Sequence, residues 1–229
     1  MSRVNIRECS DARQIRRRRT HAATSWRDAD YLSMRLLVRD LQHCRHYARG
    51  RLLDIGCGNQ PYRDLFAPLV REYIGLDQDD RQSRPDVIGD ALWLPFRADA
   101  FDTVLMIQVL EHLPNPMEAM SEIRRVLRPG GRVILTAPQY WRVHEEPHDY
   151  YRFTHFGLVH LMREHGLRIL HTKAQGGAWA LAGQALANTL SARRVLHHLT
   201  PLVNVLFGLG DRLWPDEGDP INHLLVAEK

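Results

Sequence analysis

Short apolar runs alternate with polar or amphipathic stretches from Arg51 to the end of the chain. Such runs predict strands, and strands that alternate with helix-length segments are typical of βαβ units in a parallel sheet. Several runs, such as residues 103–107, are continuously apolar, as strands covered on both faces must be. The pattern predicts seven strands: Arg51–Gly56, Glu72–Asp77, Asp86–Asp90, Phe101–Gln108, Gly131–Pro138, Leu167–Ala174 and Asn222–Lys229.

Sequence patterns that predict helices occur in the second half of the chain. Asn115 and Pro116 begin a helix that runs to about Leu127, where Pro and Gly in residues 128–131 end it. A second helix spans Thr154 to His165. The apolar region 176–214 predicts one or two more helices before the last strand. They would either pack into the core or form a lid or docking surface for an apolar acceptor, a membrane or a dimer partner.

Composition places the chain among folded globular proteins. It has 229 residues, of which 44% are hydrophobic and 25% charged, which predicts one α/β domain. No apolar stretch approaches the roughly 20 residues that a membrane span needs. The predicted parts are a basic arm, a core, a helical insertion and a last strand, at residues 1–30, 48–174, 176–214 and 222–229. A cytoplasmic location is expected from an odd set of cysteines without a C-x-x-C pair: Cys9, Cys44 and Cys57.

Charge is concentrated near the N-terminus. Residues 1–51 hold thirteen Arg against five Asp plus Glu, a balance of +8, whereas the rest of the chain carries −4. The run Arg16 to Arg19 could contact phosphate in nucleic acid, in a nucleotide-linked substrate or in anionic lipid, or it could be a solvated arm. No stacking aromatics interleave the run, so nucleic acid is not the expected partner.

The strongest motif is the segment 52–59, Leu-Leu-Asp-Ile-Gly-Cys-Gly-Asn. The segment predicts a strand that ends near Asp54, followed by a turn through Gly56 and Gly58. A Cβ at either glycine would disfavour a positive φ angle and would keep a ligand away from the backbone. A dinucleotide-binding turn needs a third glycine, and Pro61 stands there instead. The motif therefore argues against NAD.

Further polar residues follow the next strands. Asp77 ends the second strand, where an acid can accept hydrogen bonds from ribose hydroxyls. Asp90 ends the third strand and precedes an apolar stretch that begins at Ala91, and Gln108 ends the fourth strand. Because the carboxyl ends of parallel strands meet at one edge of a sheet, these residues are expected to line one crevice.

These motifs resemble those of class I S-adenosylmethionine-dependent methyltransferases, in particular the group related to ubiquinone and other small-molecule methyltransferases. The resemblance covers residues 48–174 and the last strand. It implies a Rossmann-like, doubly wound, seven-stranded sheet with helices on both faces, mostly parallel with an antiparallel last strand, and S-adenosylmethionine as cofactor. It also implies a cofactor-binding set: Asp54, Gly56 and Gly58 for the methionine part, Asp77 for the ribose, Asp90 and Ala91 for the adenine, and in addition Gln78 and Gln108.

The chain departs from the family at two places. Residues 60–62, Gln-Pro-Tyr, replace the last glycine of the first motif. Metal-dependent ubiquinone-type O-methyltransferases read E-x-x-E-H at the end of strand four, whereas Gln108 here replaces their first acid, before Glu111 and His112. We therefore expect no required metal.

The segment 138–156 is the densest aromatic and titratable cluster, and it follows the fifth strand. Residues 147–154 resemble a signature of uncharacterised bacterial methyltransferases, some of which are associated with cell-surface sugar or natural-product pathways. For a hydroxyl acceptor, we expect His148 to act as general base with Asp149 orienting it. His144 is the second candidate base, and Tyr151 is expected to shape the acceptor pocket; His148 could instead only hold the loop.

Three functions other than small-molecule methylation have some support in the sequence. Residues 144–148 match the zinc-protease pattern H-E-x-x-H, but that pattern requires a helix, which Pro147 would break at a cost of about 3 kcal/mol. A catalytically silent nucleotide-binding scaffold and a nucleic-acid methyltransferase guided by the Arg arm remain open. An N-P-P-Y-like motif after strand four is absent, which weighs against methylation of base amino groups. Methyl transfer to a small-molecule hydroxyl is the leading expectation.

Overall fold

The computed structural model of the protein describes residues 24–78, 85–193 and 195–229. The strands in this part are β1 Arg51–Ile55, β2 Glu72–Asp77, β3 Val87–Ile88, β4 Phe101–Ile107, β5 Leu127–Pro138, β6 Arg168–Gln175 and β7 Asn222–Glu228. The α-helices are α1 Tyr31–Cys44, α2 Arg63–Phe66, α3 Pro116–Val126, α4 His155–Glu164, α5 Ala178–Ser191 and α6 Thr200–Leu213. Short 3-10 turns lie at Arg45–Tyr47, Ala67–Leu69, Leu110–His112 and His197–Leu199.

One sheet contains these seven strands in the order β3-β2-β1-β4-β5-β7-β6. Neighbouring strands from β3 to β5 are parallel, and β7 lies antiparallel between β5 and β6. The predicted α/β class, with a mostly parallel sheet and an antiparallel last strand, is therefore confirmed. The strand order reverses between β1 and β4, and open α/β sheets bind ligands outside the carboxyl ends of the strands at such a switch point.

Alternate residues of the central strands enter two separate cores. Leu53 and Ile55 of β1 pack with α3 and α4, whereas Leu52 packs on the other face with α1. This follows from the two-residue period of a strand, which sends successive side chains to opposite faces. The continuous apolar runs of the sequence are explained by this double covering.

Two strands differ from their predicted bounds by more than one residue at an end. β5 begins at Leu127 rather than at Gly131, because Leu127 pairs with Phe101 while Arg132 pairs with Thr103, so that the intervening residues bulge out of the pairing. β3 is only Val87–Ile88, because the preceding Asp86 uses its carboxylate to accept the Gly75 N–H at 2.8 Å.

The helix α1 was missed by the pattern analysis, which treated the start of the chain as a basic arm. It buries a stripe that includes Leu37 and Leu41, and its N-cap residue Asp30 makes no side-chain capping bond. The run Arg16–Arg19 and Cys9 lie outside the described residues, so the predictions about them stay predictions.

The region 176–214 contains α5 and α6, which pack against each other and against α1. Gly183 of α5 lies at the crossing of these helices. A Cβ added there would lie 2.4 Å from Phe207 Cβ and 2.8 Å from Leu32 Cδ1. The close approach of the helices therefore depends on the missing side chain.

We expect Gly183→Ala to lower the free energy of unfolding by about 1 to 3 kcal/mol, because the added methyl overlaps Phe207. Gly157→Ala is the matched control. Gly157 is exposed in α4, where the added Cβ meets nothing closer than 3.4 Å, and an Ala in a helix is normally about 1 kcal/mol better than Gly. Urea denaturation of both variants checks this; equal or higher stability of Gly183→Ala would contradict the packing account.

Candidate functional site

A cavity of about 600 Å³ lies outside the carboxyl ends of β1, β2 and β4. This volume is in the usual range for small-molecule sites, and the position is the one that the strand order predicts. Every predicted cofactor-binding residue lines the cavity: Asp54, Gly56, Gly58, Asp77, Gln78, Asp90, Ala91 and Gln108. The loop that follows β5 forms the facing wall.

The turn after β1 is held against β2. The N–H groups of Gly56 and Cys57 both donate to the Leu76 carbonyl, at 2.8 and 3.0 Å. Gly56 has φ +68°, and a Cβ there would lie 2.5 Å from Val109 Cγ2. Gly58 has φ +53°, and a Cβ there would meet nothing within 4 Å, so the backbone borders open space.

Gln60 occupies the position of the family's last glycine and still adopts φ +55°. A left-handed conformation costs an L-residue roughly 1 to 2 kcal/mol, which glycine avoids. The turn after β1 therefore keeps the left-handed conformation at this position although the glycine is absent.

Asp54 is buried beneath the turn, and the Tyr73 hydroxyl donates to its Oδ2. Burial and, to a smaller extent, the charge of Asp77 raise the pKa of Asp54 to about 7, against the opposing effect of the hydrogen bond from Tyr73.

Asp77 joins the ends of two strands. Its Oδ2 accepts the Gly58 N–H at 2.8 Å, and its Oδ1 accepts the N–H of Gln78 at 2.8 Å. Asp90 accepts the Leu92 N–H at 2.9 Å, which turns the chain so that Ala91 and Leu92 line the cavity. The cavity thus has two carboxylates fixed by backbone N–H groups.

The facing wall contains two of the three predicted catalytic residues. His144 and His148 line the cavity together with His112 and Tyr150. Tyr151 is not among the lining residues; its hydroxyl donates to the Pro114 carbonyl at 3.1 Å.

Asp149 contacts His144, which corrects the expectation that it orients His148. Its Oδ2 accepts the His144 backbone N–H at 2.9 Å and lies 3.2 Å from His144 Nδ1, while Arg152 binds both carboxylate oxygens at 2.7 and 2.8 Å. Burial alone would raise the pKa of Asp149, but the hydrogen bonds from Arg152 and His144 hold it well below its ordinary value. Asp149 is therefore an ionised acceptor beside the His144 ring.

His148 is held differently. Its Nδ1 lies 3.0 Å from the Tyr150 hydroxyl, and its carbonyl lies 2.7 Å from His112 Nδ1. Its neighbour Asp149 faces His144 because residues 144–149 form a loop that folds back on itself, with the His148 N–H donating to the Glu145 carbonyl at 3.0 Å. This segment is not helical, so the H-E-x-x-H match lacks the helix that a zinc protease needs.

Glu111, His112 and His144 bring potential metal-ligand atoms within 4.8 Å of one another. Glu111 is fully buried, and neither carboxylate oxygen has a hydrogen-bond partner among the described residues. Burial raises the pKa of Glu111 to about 8, against the opposing charge of Arg152. The expectation that no metal is required stays a prediction.

Sequence reasoning missed one wall of the cavity. Asp30 and three residues of α1, Ser33, Met34 and Leu37, line it. The signal was present in the helical spacing of the buried leucines of α1, which the arginines between them obscured. Helix α1 therefore contributes to the cavity as well as to the core.

The comparisons with known proteins agree with this geometry. Residues 53–135 match a family model described as a methyltransferase domain. A "Probable S-adenosylmethionine-dependent methyltransferase" of Mycolicibacterium smegmatis is 37% identical over 107 residues, 42% of each chain. A demethylmenaquinone methyltransferase of Renibacterium salmoninarum is 32% identical over 94 residues, 37% of this chain and 40% of that one. The chain thus spans less than half the length of these curated relatives.

Solved structures show the same fold. An S-adenosylmethionine-dependent methyltransferase from Mesorhizobium loti superposes with a TM-score of 0.57 at 16% identity, covering 86% of this chain and 100% of that one. The [4+2]-cyclase SpnF superposes with a TM-score of 0.60 at 22% identity, covering 86% and 81%. Residues 53–135 thus match a methyltransferase domain, and the chain shares its fold with S-adenosylmethionine-dependent methyltransferases.

Proposed function

We propose that the chain transfers a methyl group from S-adenosylmethionine to a hydroxyl of a small-molecule acceptor. The observation that carries this proposal is the pairing of two walls across one cavity. One wall has the acids and glycines of the cofactor motifs, and the other has a histidine beside an ionised carboxylate, His144 and Asp149. The similarity to a demethylmenaquinone methyltransferase supports a small-molecule acceptor.

The residues of the first wall fit the cofactor. Gly58 leaves room for close approach to the backbone, because its position borders open space. The carboxylate of Asp77 can accept hydrogen bonds from ribose hydroxyls while it still holds the Gly58 N–H. Ala91 and Leu92 line the cavity with apolar surface that would suit the adenine, and Asp54, which also lines it, would bind the methionine part.

The bound cofactor supplies an activated methyl carbon, so the protein mainly positions two reactants for an in-line displacement. A hydroxyl acceptor must also lose a proton. We assign this proton to His144: if its Nδ1–H donates to Asp149, Nε2 carries the lone pair that accepts the proton, and Asp149 stabilises the resulting cation. His148 is the alternative base, and an acceptor from a cell-surface sugar or natural-product pathway fits the resemblance of residues 147–154.

The fold alone does not establish the reaction, since a cyclase shares it. A silent scaffold would keep the first wall and need no base on the second. The His144 and Asp149 pair therefore favours catalysis over a scaffold. A role in nucleic-acid methylation rests on the Arg16–Arg19 run, which lies outside the described residues.

We expect Asp77→Ala to weaken binding of S-adenosylhomocysteine about 10- to 150-fold, because a charge-assisted hydrogen bond contributes roughly 1.5 to 3 kcal/mol. Asp64→Ala, which removes the same charge from an exposed residue of α2 outside the cavity, should leave the affinity unchanged. Titration calorimetry measures both. Equal affinities of the two variants would show that Asp77 does not bind the ribose.

We expect methyl transfer to survive dialysis against a chelator, because the cofactor already carries the activated carbon. Label transfer from S-adenosylmethionine, measured before and after dialysis, checks this. Loss of activity that a divalent metal restores, together with loss of metal binding in Glu111→Gln, would instead assign a metal to Glu111, His112 and His144.

We expect His144→Ala to lower kcat by about 10² to 10⁴, the usual contribution of a general base, with the affinity for S-adenosylhomocysteine retained. His148→Ala is the matched removal of an imidazole from the same loop and should change kcat only a few-fold. The measurement uses radiolabelled S-adenosylmethionine with the first acceptor found in a panel of phenols and sugars. A loss of kcat confined to His148→Ala would transfer the base to His148.

A further inference from the structure

Helix α6 exposes a row of large apolar side chains. The row consists of Leu202, Val205, Leu206, Leu209 and Leu213, which are 45 to 64% exposed. Apart from the adjacent pair Val205 and Leu206, successive positions are three or four residues apart, so the row follows one face of the helix. The opposite face is buried, for example at Val203, Asn204 and Gly208. Helix α6 is therefore apolar both toward the protein and toward solvent, which core packing does not explain; we refer to the exposed row as the α6 face.

Tryptophans lie at both ends of the α6 face. Near its start, the Asn204 side chain donates to the Trp26 carbonyl at 2.9 Å, and the Trp26 ring is 47% exposed. Near its end, Trp179 and Trp214 lie with ring centroids 5.9 Å apart, and both are exposed. Exposed tryptophans beside an apolar surface are typical of the boundary between lipid and water, where the ring is partly buried and its N–H stays hydrated.

Positive charge joins the α6 face at the Trp26 end. Arg27 lies 5.1 Å from the Trp26 ring, and Arg193 is exposed in the segment between α5 and α6. Residues 1–23 hold seven Arg against two acids, and they join the described chain at residue 24, close to Trp26. This charge favours an anionic partner.

Acidic groups lie at both ends of the α6 face. At the far end, Asp211 accepts the Gly177 N–H at 2.9 Å, Asp216 accepts the Gly218 N–H at 2.9 Å, and Glu217 pairs with Lys173 at 2.8 Å. At the Trp26 end, the Asp28 carboxylate accepts the Ser25 N–H at 2.7 Å, so most of the positive charge that favours an anionic partner comes from the arginines of residues 1–23, which precede this end in the sequence.

We propose that the α6 face docks on the surface of an anionic lipid bilayer. Leucines would enter the acyl boundary, tryptophans would lie at its edge, and the Arg-rich arm would contact the headgroups. No helix in the described part of the chain is long and apolar enough to cross a membrane, so this contact lies on the surface of the bilayer. A second copy is the alternative occupant, and the oligomeric state measured below distinguishes it from a bilayer. The inference does not depend on methyl transfer.

The docked surface is connected to the cavity. Trp141 lines the cavity and packs in the cluster formed by Leu36, Ala180 and Ile221, of which Ala180 belongs to α5. The α5–α6 pair therefore shares a side chain with the cavity wall, and docking would hold the cavity near the bilayer.

Vesicle flotation with the full chain tests the proposal. We expect binding to vesicles of phosphatidylglycerol and phosphatidylcholine, weaker binding at high salt, and little binding to phosphatidylcholine alone. The double variant Leu206→Glu with Leu209→Glu should bind about tenfold less or weaker still, because two leucines no longer enter the lipid. The control carries the same two charges at exposed apolar residues outside the face, Leu69→Glu with Phe156→Glu, and should bind like the wild type.

Circular dichroism and S-adenosylhomocysteine binding would show that both double variants are folded. Absence of wild-type binding to the anionic vesicles would overturn the proposal, as would equal binding of the two double variants. A dimer in light scattering that only the α6 variant loses, without vesicle binding, would assign the face to a second copy and also overturn it.

Discussion

The site depends on the hydrogen bonds that hold the turn between β1 and α2 against the end of β2. Two N–H groups of this turn bind one carbonyl at the end of β2, and Asp77 binds a third, the N–H of Gly58. These bonds hold the ends of β1 and β2 together, and Gly56 lets Val109, beyond the end of β4, pack directly on the turn. Because these strands are neighbours in a parallel sheet, fixing their ends also fixes the floor of the cavity.

The two walls of the cavity are held in place by different kinds of interaction. The strand ends are rigid because backbone hydrogen bonds hold their carboxylates. The loop after β5 is instead held by side chains, chiefly the pairing of Arg152 with Asp149 and of Asp149 with His144. The first wall lies within the residues that match the methyltransferase domain model, whereas the chemistry proposed above for the second wall rests on residues outside that match. That division is expected when one fold supports many reactions.

Sequence predicted the sheet well, because strands buried on both faces leave apolar runs that few other structures produce. It also predicted which acids meet, since the carboxyl ends of parallel strands share one edge. It could not place Asp149: the nearest histidine in sequence is His148, and only the folded loop shows that the carboxylate turns toward His144. Helix α1 was missed because its start lacks a side-chain cap and its charged residues resemble those of the arm before it.

The burial of Glu111 could not be predicted from the sequence either. Nothing in the segment after β4 indicates that this carboxyl would be fully buried, and its burial arises from the loop after β5, whose Tyr150 N–H donates to the Glu111 carbonyl at 2.9 Å. Long-range packing of this kind leaves no local pattern in the sequence.

The central claim is that the first wall binds the cofactor and the second wall faces its methyl group. A crystal structure with S-adenosylhomocysteine tests it most directly through two distances. We expect the ribose hydroxyls about 2.7 to 3.0 Å from the Asp77 carboxylate and the sulfur directed toward His144; a ribose bound away from Asp77, or a sulfur directed away from the loop after β5, would contradict the account.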